Sequence, residues 1–137
     1  MPRITILAVG KLKAQEAELY QRYLKRLRPA PKLIELSERQ ADRLMDRVPE
    51  KTVLVCMDER GDDLPTVGFG EWMSAQSRDI CFVIGAAEGL PKDLLARSDK
   101  RIRFGSQTWP HQLVRAMLVE QLYRVQSIQA GHPYHKA

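Results

Sequence analysis

Three stretches of this chain carry residue types that could do chemistry. The first, Gly85-Ala86-Ala87-Glu88-Gly89-Leu90, follows an apolar run ending at Ile84. Its two glycines let a backbone approach a ligand closely, and amides at the start of a following helix can donate to it. The segment is neither a Gly-Lys-Ser/Thr phosphate loop nor a G-x-G-x-x-G dinucleotide turn, so a plain strand-to-helix turn is the competing reading. The second, Gly105-Ser106-Gln107-Thr108-Trp109-Pro110, offers many backbone donors around one large aromatic face. Its alternative is a connector with Trp109 in the core. The third is the tail His132-Pro133-Tyr134-His135-Lys136, which suits stacking on and charge contact with looped or single-stranded RNA. A disordered terminus is the rival account there. As metal ligands His132 and His135 lack a third partner nearby, so no metal is expected. Cys56 and Cys81 each lie inside an apolar run and read as buried small hydrophobes, not as a nucleophile, disulfide or metal pair.

These stretches can meet a ligand only if secondary structure brings them to one edge. Apolar, β-branched runs predict strands over 3–9, 32–36, 52–57, 80–84 and 101–104. Between them, helical spacing predicts helices over 13–28, 41–48, 66–77 and 90–98, and a long last helix over 111–128. Pro29 and Pro31 end the first helix, Ser37-Glu38-Arg39-Gln40 has the capping-box pattern, and residues 58–63 read as a polar turn. This alternation implies an α/β fold with a mostly parallel sheet between helices, because parallel neighbours need a crossover. In such sheets ligands bind beyond the carboxyl ends of the strands, where the first two stretches fall. The last helix is apolar on more than one side: Val114, Met117, Leu118, Leu122 and Val125 on one, Ala116, Val119 and Tyr123 on another. That pattern predicts cover by the chain's own sheet and by a second copy, although a central core helix would account for it too.

The chain's 137 residues leave room for one domain, 1–137. Hydrophobic residues at 44% and charged residues at 28% match a folded globular domain. No apolar run approaches the roughly 20 residues of a membrane span, and the opening run from Met1 is too short for a signal peptide, so a cytoplasmic location without membrane contact is expected. A net charge of +5 favours polyanions without deciding anything.

The run Phe82-Val83-Ile84-Gly85-Ala86-Ala87-Glu88-Gly89-Leu90 is followed by Thr108-Trp109-Pro110-His111-Gln112-Leu113-Val114-Arg115, Glu120-Gln121-Leu122-Tyr123-Arg124 and His132-Pro133-Tyr134-His135. With the opening Ile4-Thr5-Ile6-Leu7-Ala8-Val9-Gly10-Lys11-Leu12-Lys13, these motifs resemble, in order and spacing, the bacterial ribosomal RNA large subunit methyltransferase H family. The resemblance implies a SPOUT-class fold with a C-terminal trefoil knot, S-adenosylmethionine as cofactor, and a homodimer. It further implies methylation of N3 of a pseudouridine in large-subunit (23S) ribosomal RNA on the assembled ribosome.

Carried over by position, Met57, Gly85, Ala86, Gly89, Gly105, Ser106, Gln107, Thr108, Trp109 and Pro110 would surround the cofactor. Arg124, His132, Tyr134, His135 and Lys136 would face the RNA, in a site shared between two subunits. An imide N3 must lose a proton, which makes His135 the candidate base and Arg124 the candidate stabiliser of the anion. The chain departs from the family pattern at Ala86, where glycine is usual; a left-handed backbone there would cost roughly 1–2 kcal/mol and favour a non-catalytic RNA-binding module. It is also shorter between Leu36 and Thr52.

Overall fold

The computed structural model describes residues 2–136; Met1 and Ala137, the outermost residues of the opening run and of the tail, lie outside the described residues. Five parallel strands form one sheet in the order β2-β1-β4-β3-β5. They are β1 (Ile4–Val9), β2 (Lys32–Leu36), β3 (Val53–Asp63), β4 (Ile80–Ile84) and β5 (Lys100–Arg103). The helices are α1 (Ala14–Leu24), α2 (Leu44–Arg47), α3 (Thr66–Ser74), α4 (Lys92–Arg97) and α5 (His111–Gln129).

Helices cover both faces of the sheet, so the central strands are apolar throughout rather than alternating. Every residue of β4 is buried. Ile6, Val55 and Phe82 join one core with Tyr20 of α1, Phe69 and Met73 of α3, and Leu118, Leu122 and Val125 of α5. Their neighbours Leu7, Leu54, Cys56, Cys81 and Val83 join a second core with Leu44 of α2 and Leu94 of α4.

Three expectations need correction. The capping box is present, with the Ser37 amide donating to Gln40 Oε1 at 3.2 Å, but it opens a 3-10 turn over Glu38–Arg43 and only then the single turn of α2. The polar stretch 58–63 belongs to β3. Ile102 pairs with Met57 and again with Asp62, so residues 58–61 bulge from a ladder that continues on β5. A side chain at Gly61 would lie 2.6 Å from the Arg101–Ile102 backbone, which keeps the bulge pressed against β5. Lastly, Val119 and Ala116 are fully buried in the chain's own core. The half-exposed face of α5 is instead Leu113, Met117, Arg124 and Ile128, which fall within an arc of about 60° at roughly 100° per residue.

Candidate active site

The carboxyl ends of β3, β4 and β5 open into a cavity of about 570 Å³. Met57, Ile84, Ile102, Phe104 and Val114 supply its apolar wall, and the Gly85–Leu90 turn and the residues from Gln107 to His111 supply its rim. The turn is tight. A Cβ at Gly85 would come 2.8 Å from the Gly89 carbonyl oxygen and from Leu90 Cδ2, so glycine is required by the turn's own backbone. Gly89, at φ +87°, donates its N–H to the Ala86 carbonyl at 2.9 Å and closes the turn. Among the described residues Lys51 is the only non-glycine with positive φ. Ala86 is therefore unstrained, and the left-handed penalty considered from the sequence does not arise; with it goes the ground for a module that has lost its cofactor.

The loop from Gly105 to Pro110 is braced by β3. Gly105 N–H donates to Asp63 Oδ1 at 3.2 Å, and the Thr108 hydroxyl donates to Glu59 Oε2 at 3.0 Å. Trp109 Nε1 donates to the Phe104 carbonyl at 2.7 Å, which folds the loop on itself and leaves the indole 40% exposed beside the cavity. Pro110 then caps α5. The bulged continuation of β3 thus holds the loop at the mouth.

The tail forms a different kind of cluster at the other end of α5. His132 N–H donates to the Ser127 carbonyl at 2.8 Å and turns the chain back along the helix. Tyr134 packs edge-on against Tyr123 and Tyr23, with ring centroids 4.8 and 6.3 Å away. Its hydroxyl donates to Glu120 Oε2 at 3.0 Å and lies 3.1 Å from that of Tyr23. Glu120 also accepts both arms of Arg124, Nη2 at 2.8 Å and Nε at 3.2 Å, and the Arg124 guanidinium lies 4.8 Å above the Tyr134 ring. The carboxylate holds the Arg124 pKa above its ordinary value; burial and then the two hydrogen bonds raise that of Tyr134. Arg124 Nη1 stands 3.2 Å from His135 Nδ1. As a hydrogen bond this contact has the guanidinium as donor and Nδ1 as acceptor, since guanidinium only donates.

Of the residues singled out in the sequence, the cavity gathers Met57, Gly85, Ala86, Gly89, Gln107, Thr108, Trp109 and Pro110. Gly105 and Ser106 are not part of this lining, and Gly105 turns the chain at φ +87°. Tyr134 and His135 join Arg124, while His132 and Lys136 stay exposed. Arg124 and His135 do not line the cavity of their own chain: ten residues separate Val114 from Arg124, about 15 Å along a helix. Sequence reasoning missed Asp58, Glu59, Arg103 and His111 at the cavity, and Glu120 and Tyr23 at the tail. The i,i+4 spacing of Glu120 and Arg124 was a readable signal; nothing local marked the bulge. Both thiols are fully buried in the core, and burial pushes Cys56 up to about 11 and Cys81 up to about 12, which disfavours a cysteine nucleophile.

Residues 2–135 match the family described as "Predicted SPOUT methyltransferase". The chain is 41% identical to the Ribosomal RNA large subunit methyltransferase H of Paramagnetospirillum magneticum and 42% identical to that of Rhodospirillum centenum. In both cases the match covers 98% of this chain and 99% of the relative. Among solved structures it resembles a methylase family protein from Haemophilus influenzae, with a TM-score of 0.66 at 11% identity over 99% of this chain and 71% of that one. It also resembles a Ribosomal RNA small subunit methyltransferase E from Neisseria gonorrhoeae, bound to S-adenosyl methionine, with a TM-score of 0.52 at 11% identity over 90% of this chain and 66% of the other. At those identities the two structures speak for the fold alone.

Proposed function

Because the chain belongs to the ribosomal RNA large subunit methyltransferase H family of SPOUT methyltransferases, we propose that it uses S-adenosylmethionine to methylate N3 of a pseudouridine in 23S ribosomal RNA on the assembled ribosome. That it is an RNA methyltransferase follows from the family; cofactor, nucleotide and ribosomal context are the proposal. The observation that carries it is the cavity of about 570 Å³ at the strand ends, within the roughly 300–1,000 Å³ of small-molecule sites. Its apolar wall suits a nucleoside, and the braced loop supplies backbone donors. When bound, the cofactor would supply a methyl group on a sulfonium, a good leaving group.

The chain's own residues then have to position a nucleotide against that cavity, and those suited to RNA sit at the far end of α5. This separation supports a homodimer in which the tail of one subunit completes the cavity of the other. The half-exposed stripe of Leu113, Met117 and Ile128 on α5, outside both core clusters, is the face proposed for that contact. The trefoil thread that the family implies is part of the same proposal.

In the RNA-facing cluster, Arg124 is aligned by Glu120 and Tyr134 to stabilise negative charge on the target base. His135 can accept the N3 proton only once Arg124 leaves its Nδ1, so substrate entry must break that contact first. Lys136 adds positive charge, and His132 a hydrogen-bonding ring, toward the RNA backbone. The test is a methylation assay with S-adenosylmethionine on assembled ribosomes, free large subunits and naked 23S RNA, followed by mass spectrometry of the nucleosides. A methyl group on N3 of pseudouridine in assembled ribosomes is the expected product. Methylation of another base, or of naked RNA alone, overturns the proposal.

A further inference from the structure

We propose that Arg103 recognises the carboxylate at the amino-acid end of the cofactor, an inference that rests on the reading of the cavity given above. Among the described residues lining the cavity, Arg103 is the only arginine or lysine. The acids around it are engaged elsewhere or stand apart. Asp58 faces Arg101 at 3.8 Å, Glu59 accepts the Thr108 hydroxyl, and Asp63, opposite Arg103 in the ladder, accepts the Gly105 N–H. Glu88 belongs to the turn across the cavity.

Arg103 itself enters no ion pair among the described residues, and its Nε is buried without a hydrogen-bond partner. A guanidinium N–H kept from water with no acceptor is costly. In guanidinium Nε and one Nη stand side by side, a fork that receives two anionic oxygens at once, and turning the group toward the cavity would aim that fork at a ligand. A carboxylate on a small ligand and a phosphodiester of RNA both present such a pair. The position favours the carboxylate. Arg103 follows buried Ile102 at the end of β5, and both line the cavity beside its apolar wall, where the anionic end of a small ligand seated in the cavity would lie.

Calorimetry on the full-length protein tests this with two probes, S-adenosylhomocysteine and 5′-methylthioadenosine, which shares the nucleoside thioether but lacks the amino-acid end. The wild type should bind S-adenosylhomocysteine at least about tenfold more tightly. Arg103→Gln should erase that preference, weakening S-adenosylhomocysteine about tenfold while leaving methylthioadenosine unchanged, and Arg103→Lys should restore part of it. Equal weakening of both probes would make Arg103 a wall of the cavity and overturn the proposal. So would unchanged S-adenosylhomocysteine affinity; if ribosome binding then fell and lost salt dependence, the anion would be an RNA phosphate. A wild type that binds neither probe would sink the cofactor reading together with this one.

Discussion

At the N-terminal end of α5 the cavity is built from backbone: the Gly85–Leu90 turn closes on its own carbonyls, and the Gly105–Pro110 loop hangs from β3 through Asp63 and Glu59. At the C-terminal end the cluster is built from side chains, with Glu120 gathering Arg124 and Tyr134 and three tyrosine rings packed beneath. The difference separates two kinds of tolerance. A backbone-built site accepts side-chain changes that keep the chain's path, as Ala86 does, and fails when a Cβ intrudes. A side-chain cluster keeps its path under most substitutions but loses function with each group removed. Under the proposed function these ends do two kinds of work, holding a small cofactor and meeting an RNA.

The harshest way to break this contrast is to delete 132–137. Methylation should fall by about 10³-fold, the scale of losing acid–base and electrostatic groups together, while calorimetry with S-adenosylhomocysteine shows unchanged affinity. Loss of that affinity as well would mean that the two ends are one site within a single chain.

Met117→Glu sharpens the same point by asking whether the ends meet across two chains. A charge on the half-exposed stripe of α5 should give monomers by sedimentation and cost about 10²-fold in methylation, with the fold retained because the side chain lies outside both cores. An active monomer would remove the need for a partner's tail.

Gly85→Ala tests the backbone-built end. The added methyl group meets the Gly89 carbonyl oxygen at 2.8 Å, and the overpacking should cost about 1–3 kcal/mol. Cofactor affinity should drop about tenfold, with ribosome binding in a pull-down untouched. Smallest of all is the effect expected from thiol reagents. With burial holding Cys56 up to about 11 and Cys81 up to about 12, both stay protonated and shielded at neutral pH. Treatment of the native protein should leave activity unchanged, with labelling by mass only after denaturation.

Much of the frame was legible in local pattern. The strands β1, β2 and β4 stand within a residue of where the sequence places them; for β1 and β4 the reason is burial on both faces, which demands uninterrupted apolar residues, whereas β2 is a largely exposed edge strand. The motif resemblance was equally legible, since it depends on residue identity and order. Helix ends were less so: α1 stops at Leu24 and α3 at Ser74, short of the expected residues 28 and 77, and beyond α1 Leu27 packs into the core without being helical. Residues 58–63 look like a turn by composition and become strand only because β5 supplies a second ladder partner.

The sequence by itself determined the alternating α/β order, the placement of two glycine-bearing loops at strand ends and the family. Each follows from local periodicity or residue identity. Only the tertiary structure decided that Ala86 is unstrained, that Val119 faces inward, that Glu59 and Asp63 brace the loop, and that Arg103 Nε is left without a partner among the described residues. It also set Arg124 and His135 about 15 Å along α5 from the cavity of their own chain. Those facts depend on which distant segments come to lie side by side, and on the length of one rigid helix between two sites. Such relations arise from packing and leave no mark on the spacing of neighbouring residues.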